Sequence, residues 1–404
     1  MSMAVCRKQE KSLRKSDEKE GIRMEFRDLK KQYEVLKPQI DKAMEDVLKT
    51  AHYISGPQIK ELEQQLAEYV GVKHCITCGN GTDALTLALM AWEIGPGDAV
   101  FVPDFTFFSS GECPAYEGAT PIFVDVNRET YNIDPERLAQ AIAKVKNEGV
   151  LTPKAVVAVD LFGQPAEYDQ ICSICRENDL LLLEDGAQGF GGRIGECKAC
   201  AFGDIATTSF FPAKPLGCYG DGGAIFTNSD DLAALMCSLA VHGKSGQDKY
   251  NNVRIGMNSR LDTVQAAILQ VKLKAFEDYE LEKVNKVATW YNEALADSGL
   301  VLPRVLPGFV SSWAQYTVQL PENVNRAAVQ FNLKEQGIPT MVYYAKPMHL
   351  QGAFIGTRSA QADCPVTELL CSQVLSLPIH PYMEQDQVHQ VCEAVKEQLK
   401  TLSK

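Results

Sequence analysis

No run of apolar residues in this chain approaches the roughly 18 that a membrane-crossing helix requires, and the basic N-terminal stretch MSMAVCRKQEKSLRKSDEKEGIR lacks the apolar segment of a secretory leader. The sequence therefore predicts neither a membrane span nor export, and a cytoplasmic location. Positive charge is in short supply: 40 Lys and Arg stand against 52 Asp and Glu, a net charge of −12. That balance argues against non-specific binding to nucleic acid or anionic membranes, while leaving room for a local basic pocket. Histidine is scarce, with 6 residues, and none stands in a frame that suggests catalysis. A disulfide framework is also missing. The 13 cysteines are odd in number and scattered along a long chain, as expected of reduced thiols. Three pairs have the Cys-x-x-Cys spacing, and two such pairs could bind zinc. Cys75 and Cys78, however, flank an apolar strand pattern, and Cys172 and Cys175 lie at i, i+3 of a helical one. Only Cys197 and Cys200 lie in a Gly-rich stretch resembling a knuckle, so no metal is expected.

What is present suits a folded protein. Of 404 residues, 45% are hydrophobic and 23% charged, enough to bury a large core. Residues 1–23 have almost nothing to bury and read as a disordered tail; folded chain is expected from Met24. Leu36, Ile40, Ala43/Met44 and Val47/Leu48 make a helical stripe, as do Ile59, Leu62, Leu66 and Tyr69, stopped by Gly71. Short apolar runs then alternate with helical patterns: KHCITC, DAVFVP, PIFVDV, AVVAVD, LLLLED, IATTSF and GAIFT. Alternation with nearly all-apolar strands predicts a mostly parallel sheet covered on both faces. Ligands of such sheets bind beyond the carboxyl ends of the strands. A long helical pattern from Asp262 to about Ala296 and the boundary LPRVLPG lead to AQYTVQL, IPTMVYY and helices at 325–336 and 385–402. These predict a large domain over 24–265, then a connecting helix and a small α+β domain over 266–404.

Three motifs carry chemistry. Cys78-Gly-Asn-Gly-Thr-Asp-Ala84 opens a helix after a strand, so its N–H groups suit a phosphate. It also reads G-x-G-x-x-A, with Asp104 about 20 residues on, where a ribose-binding acid would stand. A nicotinamide oxidoreductase is thus a rival reading. In LLLLEDGAQGFGG, Asp185 ends a buried strand at the ligand crevice, and alternation turns Glu184 to the opposite face. In TTSFFPAKPLGCYGDGGAIFTN, Lys214 stands between prolines in an uncharged segment, the setting of an imine-forming lysine. An anion cradle, an acid and an amine together are what pyridoxal phosphate requires.

NGTDAL (80–85), PDFTFFSSGE (103–112), EDGAQGFGG (184–192), SFFPAKPLGCYGDGGA (209–224) and GMNSRLDTVQAA (256–267) give the chain a resemblance to the DegT/DnrJ/EryC1/StrS nucleotide-sugar aminotransferases. The resemblance implies an α/β fold of the aspartate-aminotransferase type, with a seven-stranded sheet, and a homodimer with shared sites. It implies that pyridoxal 5'-phosphate is the cofactor and Lys214 its Schiff-base lysine. By the same resemblance Asp185 pairs with the ring nitrogen, Gln188 meets the ring oxygen and Phe107 stacks on the ring. Gly81, Thr82 and Ser209 would hold the phosphate, with Asn258 reaching it from the partner. Arg260, Tyr343, Tyr344 and His349 are candidates for the sugar. The Lys214 segment looks most like UDP-sugar 3-aminotransferases, which implies glutamate as donor, a 3-keto derivative of UDP-N-acetylglucosaminuronate as acceptor and surface polysaccharide as destination. A 4-aminotransferase acting on a 4-keto-6-deoxy sugar is the alternative, because Tyr343 and Ala345 depart from those relatives.

Overall fold

The computed structural model describes residues 24–246 and 250–402; the expected disordered tail, 1–23, lies outside them. Two N-terminal helices, α1 (Leu29–Thr50) and α2 (Pro57–Val70), precede the sheet. Strands and helices then alternate as β1 (His74–Cys78), α3 (Gly81–Ala91), β2 (Asp98–Pro103), α4 (Phe108–Tyr116), β3 (Thr120–Val124), α5 (Pro135–Glu148), β4 (Thr152–Val159), α6 (Tyr168–Asn178) and β5 (Leu181–Asp185). After a short hairpin of β6 (Arg193–Ile194) and β7 (Cys197–Lys198) come β8 (Ile205–Ser209), β9 (Gly223–Thr227) and α7 (Asp230–Leu239).

Seven of these strands form one sheet in the order β1-β9-β8-β5-β4-β2-β3. Pairings from β8 through β3 are parallel, and β9 runs against both β8 and β1. The sheet is therefore mostly parallel, and β1 points the same way as β8. Its strands are apolar throughout because both faces are covered. Along β2, Val100 and Val102 enter one core with α3, while Ala99 and Phe101 enter another with α5 and α6.

One consequence of the topology matters most for function. Residues after β1, β2 and β4, and at the ends of β5 and β8, all emerge on the same edge of the sheet.

A helix runs from α8 (Thr263–Ala275) through a π-turn (Phe276–Glu280) into α9 (Leu281–Leu295), close to the extent expected from the sequence. The remaining elements are β10 (Phe309–Val310), β11 (Tyr316–Gln319), α10 (Arg326–Glu335), α11 (Pro365–Gln373), β12 (Val374–Leu377) and α12 (Gln385–Leu402). β11 pairs antiparallel with β12, and Val287, Tyr291, Tyr316, Val318, Leu375, Val391 and Val395 form a core of their own. Met24 is buried in that second core, and Phe26 accepts a backbone hydrogen bond from Ile379 at 3.2 Å. The first folded residues thus pack on the smaller unit. IPTMVYY does not form the strand its composition suggests; only Met341 bridges to Ser376. Tyr344 is held by the large sheet's edge instead of by a neighbouring strand, and Tyr343 packs against Tyr344 and Phe26.

Candidate active site

The site assembles from strand ends. Asn80 caps α3, its Oδ1 accepting from Asp83 N at 2.8 Å, so the helix opens at Gly81. Gly81 lies directly against the end of β8: a Cβ there would stand 2.8 Å from Ser209 Cβ. Thr82 Oγ1 and Ser109 Oγ are hydrogen-bonded at 2.8 Å, and Ser209 Oγ accepts from Phe211 N at 3.2 Å. Three hydroxyls from three segments therefore converge on the N-terminus of an 11-residue helix, an arrangement that suits a phosphate.

Asp185 is 5% exposed. Ser110 Oγ donates to its Oδ2 at 2.8 Å and Ala187 N to its Oδ1 at 3.2 Å. Burial pushes this carboxyl up, opposed by the Ser110 hydrogen bond and the charge of Lys214. Lys214 occupies a turn closed by its own N–H donating to Phe211 O at 2.8 Å. Burial holds its amine below the usual lysine range, against the pull of Asp185 and with the help of Arg27. Arg27 Nη2 donates to Pro215 O at 3.2 Å, which ties this turn to the N-terminal segment.

Gln188 is held at both ends: Oε1 accepts from Phe162 N at 2.8 Å, and Nε2 donates to Tyr344 Oη at 3.2 Å. The Tyr344 ring sits between Phe105 and Phe107, with centroids 6.2 and 6.3 Å away. Phe107 itself is 54% exposed and free to stack on a ring bound over Asp185. Tyr343 is half-buried and turns its ring edge toward Phe26, 6.3 Å away.

Two readings need correction. His349, expected at the sugar, is 3% exposed. Its N and Nδ1 contact the Asp104 carboxylate at 2.8 and 2.6 Å. Asp104, 0% exposed, is correspondingly unable to serve as a ribose-binding acid. Its own O also accepts from Met348 N at 3.1 Å. Together these bonds clamp the Tyr343–His349 loop of the smaller unit onto the end of β2.

Asn258 and Arg260 are not brought into the Lys214–Asp185 cluster. Among the described residues no hydrogen bond joins them to it. Arg260 Nη2 donates to Asn258 Oδ1 at 2.5 Å, and Arg260 has no carboxylate within 4.0 Å among the described residues, Asp262 included. Their segment is anchored by Ser259, which accepts from Gly79 N at 2.8 Å and donates to Asp83 Oδ2 at 2.6 Å.

The Cys-x-x-Cys pairs do not assemble a metal centre among the described residues. The one cluster of three candidate ligands there is Asp104, His349 and Cys364, and its Asp–His contact is a hydrogen bond. Burial raises the thiols of Cys75, Cys78, Cys175 and Cys200, keeping them protonated. Sequence reasoning passed over Ser109 and Ser110. Both stand in PDFTFFSSGE, and the signal was a pair of hydroxyls at the start of a helix beyond a strand end.

Residues 34–396 match the DegT/DnrJ/EryC1/StrS aminotransferase family. The chain belongs to this family. The match covers both units and overturns the rival reading as a nicotinamide oxidoreductase. A Pseudomonas aeruginosa UDP-2-acetamido-2-deoxy-3-oxo-D-glucuronate aminotransferase is 43% identical over 374 residues, 92% of this chain and 99% of that one. A Geobacillus stearothermophilus protein described as a pleiotropic regulatory protein is 40% identical over 92% of this chain and 97% of its own. The crystal structure of a family aminotransferase from Brucella abortus superposes with a TM-score of 0.89 at 46% identity, covering 93% of this chain and 99% of that one. The family's fold, with its large mostly parallel sheet and smaller C-terminal unit, is the one described above. No described helix is long and apolar enough to cross a membrane.

Proposed function

We propose that this aminotransferase uses pyridoxal 5'-phosphate to move an amino group from glutamate to UDP-2-acetamido-2-deoxy-3-keto-glucuronate, in the making of a surface polysaccharide. The observation that carries the reading is the meeting of Lys214, Asp185 and the Gly81–Thr82–Ser109–Ser209 cradle at one sheet edge. The residues suit the cofactor. Gly81 lies so close to Ser209 that a Cβ would fill the cradle, and the buried Asp185 and half-buried Lys214 lie beyond it.

Bound there, pyridoxal phosphate supplies a carbonyl carbon that exchanges amines and a ring that accepts the electron pair left when a C–H bond breaks. Asp185, in this reading, keeps the ring nitrogen protonated, and Ser110 orients the carboxylate that does so. Lys214 Nζ binds the cofactor between turnovers. Its amine would take up and return the proton at the sugar C3. Its depressed basicity supports that role, because a neutral amine can accept the proton. Gln188 and Phe107 orient the ring, while Tyr343 and Tyr344 face the acceptor. Asn258 and Arg260 serve the site of a second copy in a homodimer. The substrate assignment leans on the P. aeruginosa relative, which shares 43% of its residues with this chain.

Borohydride reduction of the purified holoenzyme followed by peptide mapping tests the reading. The cofactor mass is expected on the peptide containing Lys214. Lys214→Ala is expected to lose both that mass and amino transfer to the 3-keto uronate. Labelling elsewhere, or full transfer by the variant, overturns the assignment. Labelling of Lys214 without turnover of any keto-sugar would favour a regulatory role, as described for the Geobacillus relative.

A further inference from the structure

Behind Asp185, on the opposite side of β5, lie two buried carboxyl groups with no cation to pair with them among the described residues. Asp160 and Glu184 are each 0% exposed. Asp160 follows β4, and its N–H donates to Asp185 O at 3.1 Å. Asp160 Oδ1 accepts from Ala166 N at 3.0 Å and from Tyr168 Oη at 2.8 Å, whereas its Oδ2 receives no donor. The Glu184 oxygens are both supplied, Oε1 by Cys200 N and Oε2 by Phe202 N at 2.8 Å. The two carboxyls lie close enough to be electrostatically coupled, yet as carboxylates they could not bond to each other, since both are acceptors.

We propose that Asp160 and Glu184 share one proton, carried on Asp160 Oδ2 and donated to Glu184, and that this pair braces the turn bearing Asp185 and Gln188. The proton belongs on Asp160 because that carboxyl has the orphaned oxygen, while both Glu184 oxygens already accept from N–H groups. An acidic O–H there satisfies the one unpartnered atom of the network, and two buried anions side by side could not both persist. The titratable groups facing the pair are Tyr168 and Cys172 from α6 and the thiols of Cys197 and Cys200, with Asp185 and Cys75 beyond them. All are neutral or acidic, so nothing but a proton neutralises the pair. Burial also favours the protonated forms, raising Asp160 well above its ordinary range and Glu184 to about 7.

The brace is mechanical. A Cβ on Gly189 would stand 2.4 Å from Asp160 Oδ2, so the turn rests directly on the shared proton's site. Gly189 N donates to Gly186 O at 3.0 Å, closing that turn between Asp185 and Gln188. Asp160 and Glu184 are positioning residues. The proton sharing stands whatever the reaction; only its consequence for ring binding rests on the proposed function.

Asp160→Asn distinguishes this from ordinary packing. Its amide keeps an acceptor for Ala166 and Tyr168 and gives Glu184 a permanent N–H donor. In the wild type the folded pair holds a proton that the unfolded chain releases near pH 4, so stability falls as pH rises from there through the raised folded pKa. The variant lacks that loss. Its melting temperature relative to wild type should rise by about 8 °C or more between pH 5 and pH 9. Parallel pH profiles would overturn the proposal.

Infrared spectroscopy of the wild-type holoenzyme gives a second test that does not depend on the variant folding. An un-ionised carboxyl band is expected at pH 8 and should shift on labelling with ¹³C-aspartate. A band that moves with labelled glutamate instead, or no band at all, refutes the assignment. An unchanged borohydride label on Lys214 in Asp160→Asn keeps this result separate from the reaction proposed above.

Discussion

Replacing Asp104 by asparagine tests whether the clamp on the Tyr343–His349 loop serves the site. The change is nearly isosteric, so packing is conserved. What is lost is charge and acceptor capacity. Asp104 accepts from both His349 N and His349 Nδ1, at 2.8 and 2.6 Å, and is fully buried. An asparagine can accept with one oxygen only, and its amide would face the remaining donor. Breaking a buried hydrogen-bonded charge pair from one side costs about 3–5 kcal/mol. At this chain length that corresponds to a melting shift of roughly 6–10 °C, the lower end of the sensitivity per kcal/mol for sizeable domains.

The cost has a predicted pH dependence. The hydrogen bond that His349 donates to Asp104 raises the folded pKa of His349 above its ordinary value of 6.5, outweighing burial. Stability from the pair is therefore greatest where His349 is protonated and Asp104, its carboxyl itself raised by burial, is ionised, and it fades as pH rises through the raised folded value of His349. Asp104→Asn should be most damaging near pH 6 and less so near pH 9. Loosening the loop should also weaken the Gln188–Tyr344 bond, so cofactor affinity falls with stability. Differential scanning calorimetry across that range, with cofactor titration by fluorescence, measures both. A penalty below about 1 kcal/mol, the scale of one ordinary hydrogen bond, or one that does not change with pH, would refute the clamp.

Two further outcomes bear on the site. Gly81→Ala places a Cβ 2.8 Å from Ser209 Cβ; overpacking of about 1–3 kcal/mol should reduce cofactor affinity about tenfold or more by titration with circular dichroism unchanged, and unaltered affinity would remove the cradle from the argument. Arg260→Met should weaken a 3-keto uronate by about 2–4 kcal/mol, the scale of losing one partner of a desolvated charge pair. A neutral keto-sugar on the same nucleotide should be little affected in steady-state kinetics, and equal losses on both would make Arg260 structural.

The large sheet was legible because its strands are buried on both faces and so appear as bare apolar runs between helical stripes. Lys214 and Asp185 were legible for a related reason: a charge beside an apolar run stands out. The readings that failed depend on contacts between segments far apart in the chain. Nothing local tells that His349 meets Asp104, 245 positions away. IPTMVYY has strand-like composition, but its place is decided by the Asp104 clamp and by Gln188, which draw Tyr344 to the sheet edge. Ser110 was hidden because its significance lies in a bond to Asp185, 75 positions away.

Four strands of this sheet lead into an aspartate at the ligand edge: β2 into Asp104, β3 into Asp125, β4 into Asp160 and β5 into Asp185; Asp125 is taken up by the start of α11, accepting from Val366 N and Thr367 N at 2.9 and 2.8 Å. Position at a strand end does not by itself tell them apart. Their surroundings separate them. Asp104 is consumed by the backbone and ring of His349. Asp160 is turned toward Tyr168 and Glu184, away from the crevice. Only Asp185 is electrostatically coupled to Lys214, and a serine hydroxyl and one backbone N–H hold it while leaving further acceptor capacity. The same residue type at the same place in four successive units thus yields two ties to the smaller unit and, in the roles proposed above, a brace for the turn and an acid for the ring. The difference lies in what each carboxylate reaches across the edge, which is where the fold converts a repeated pattern into distinct chemistry.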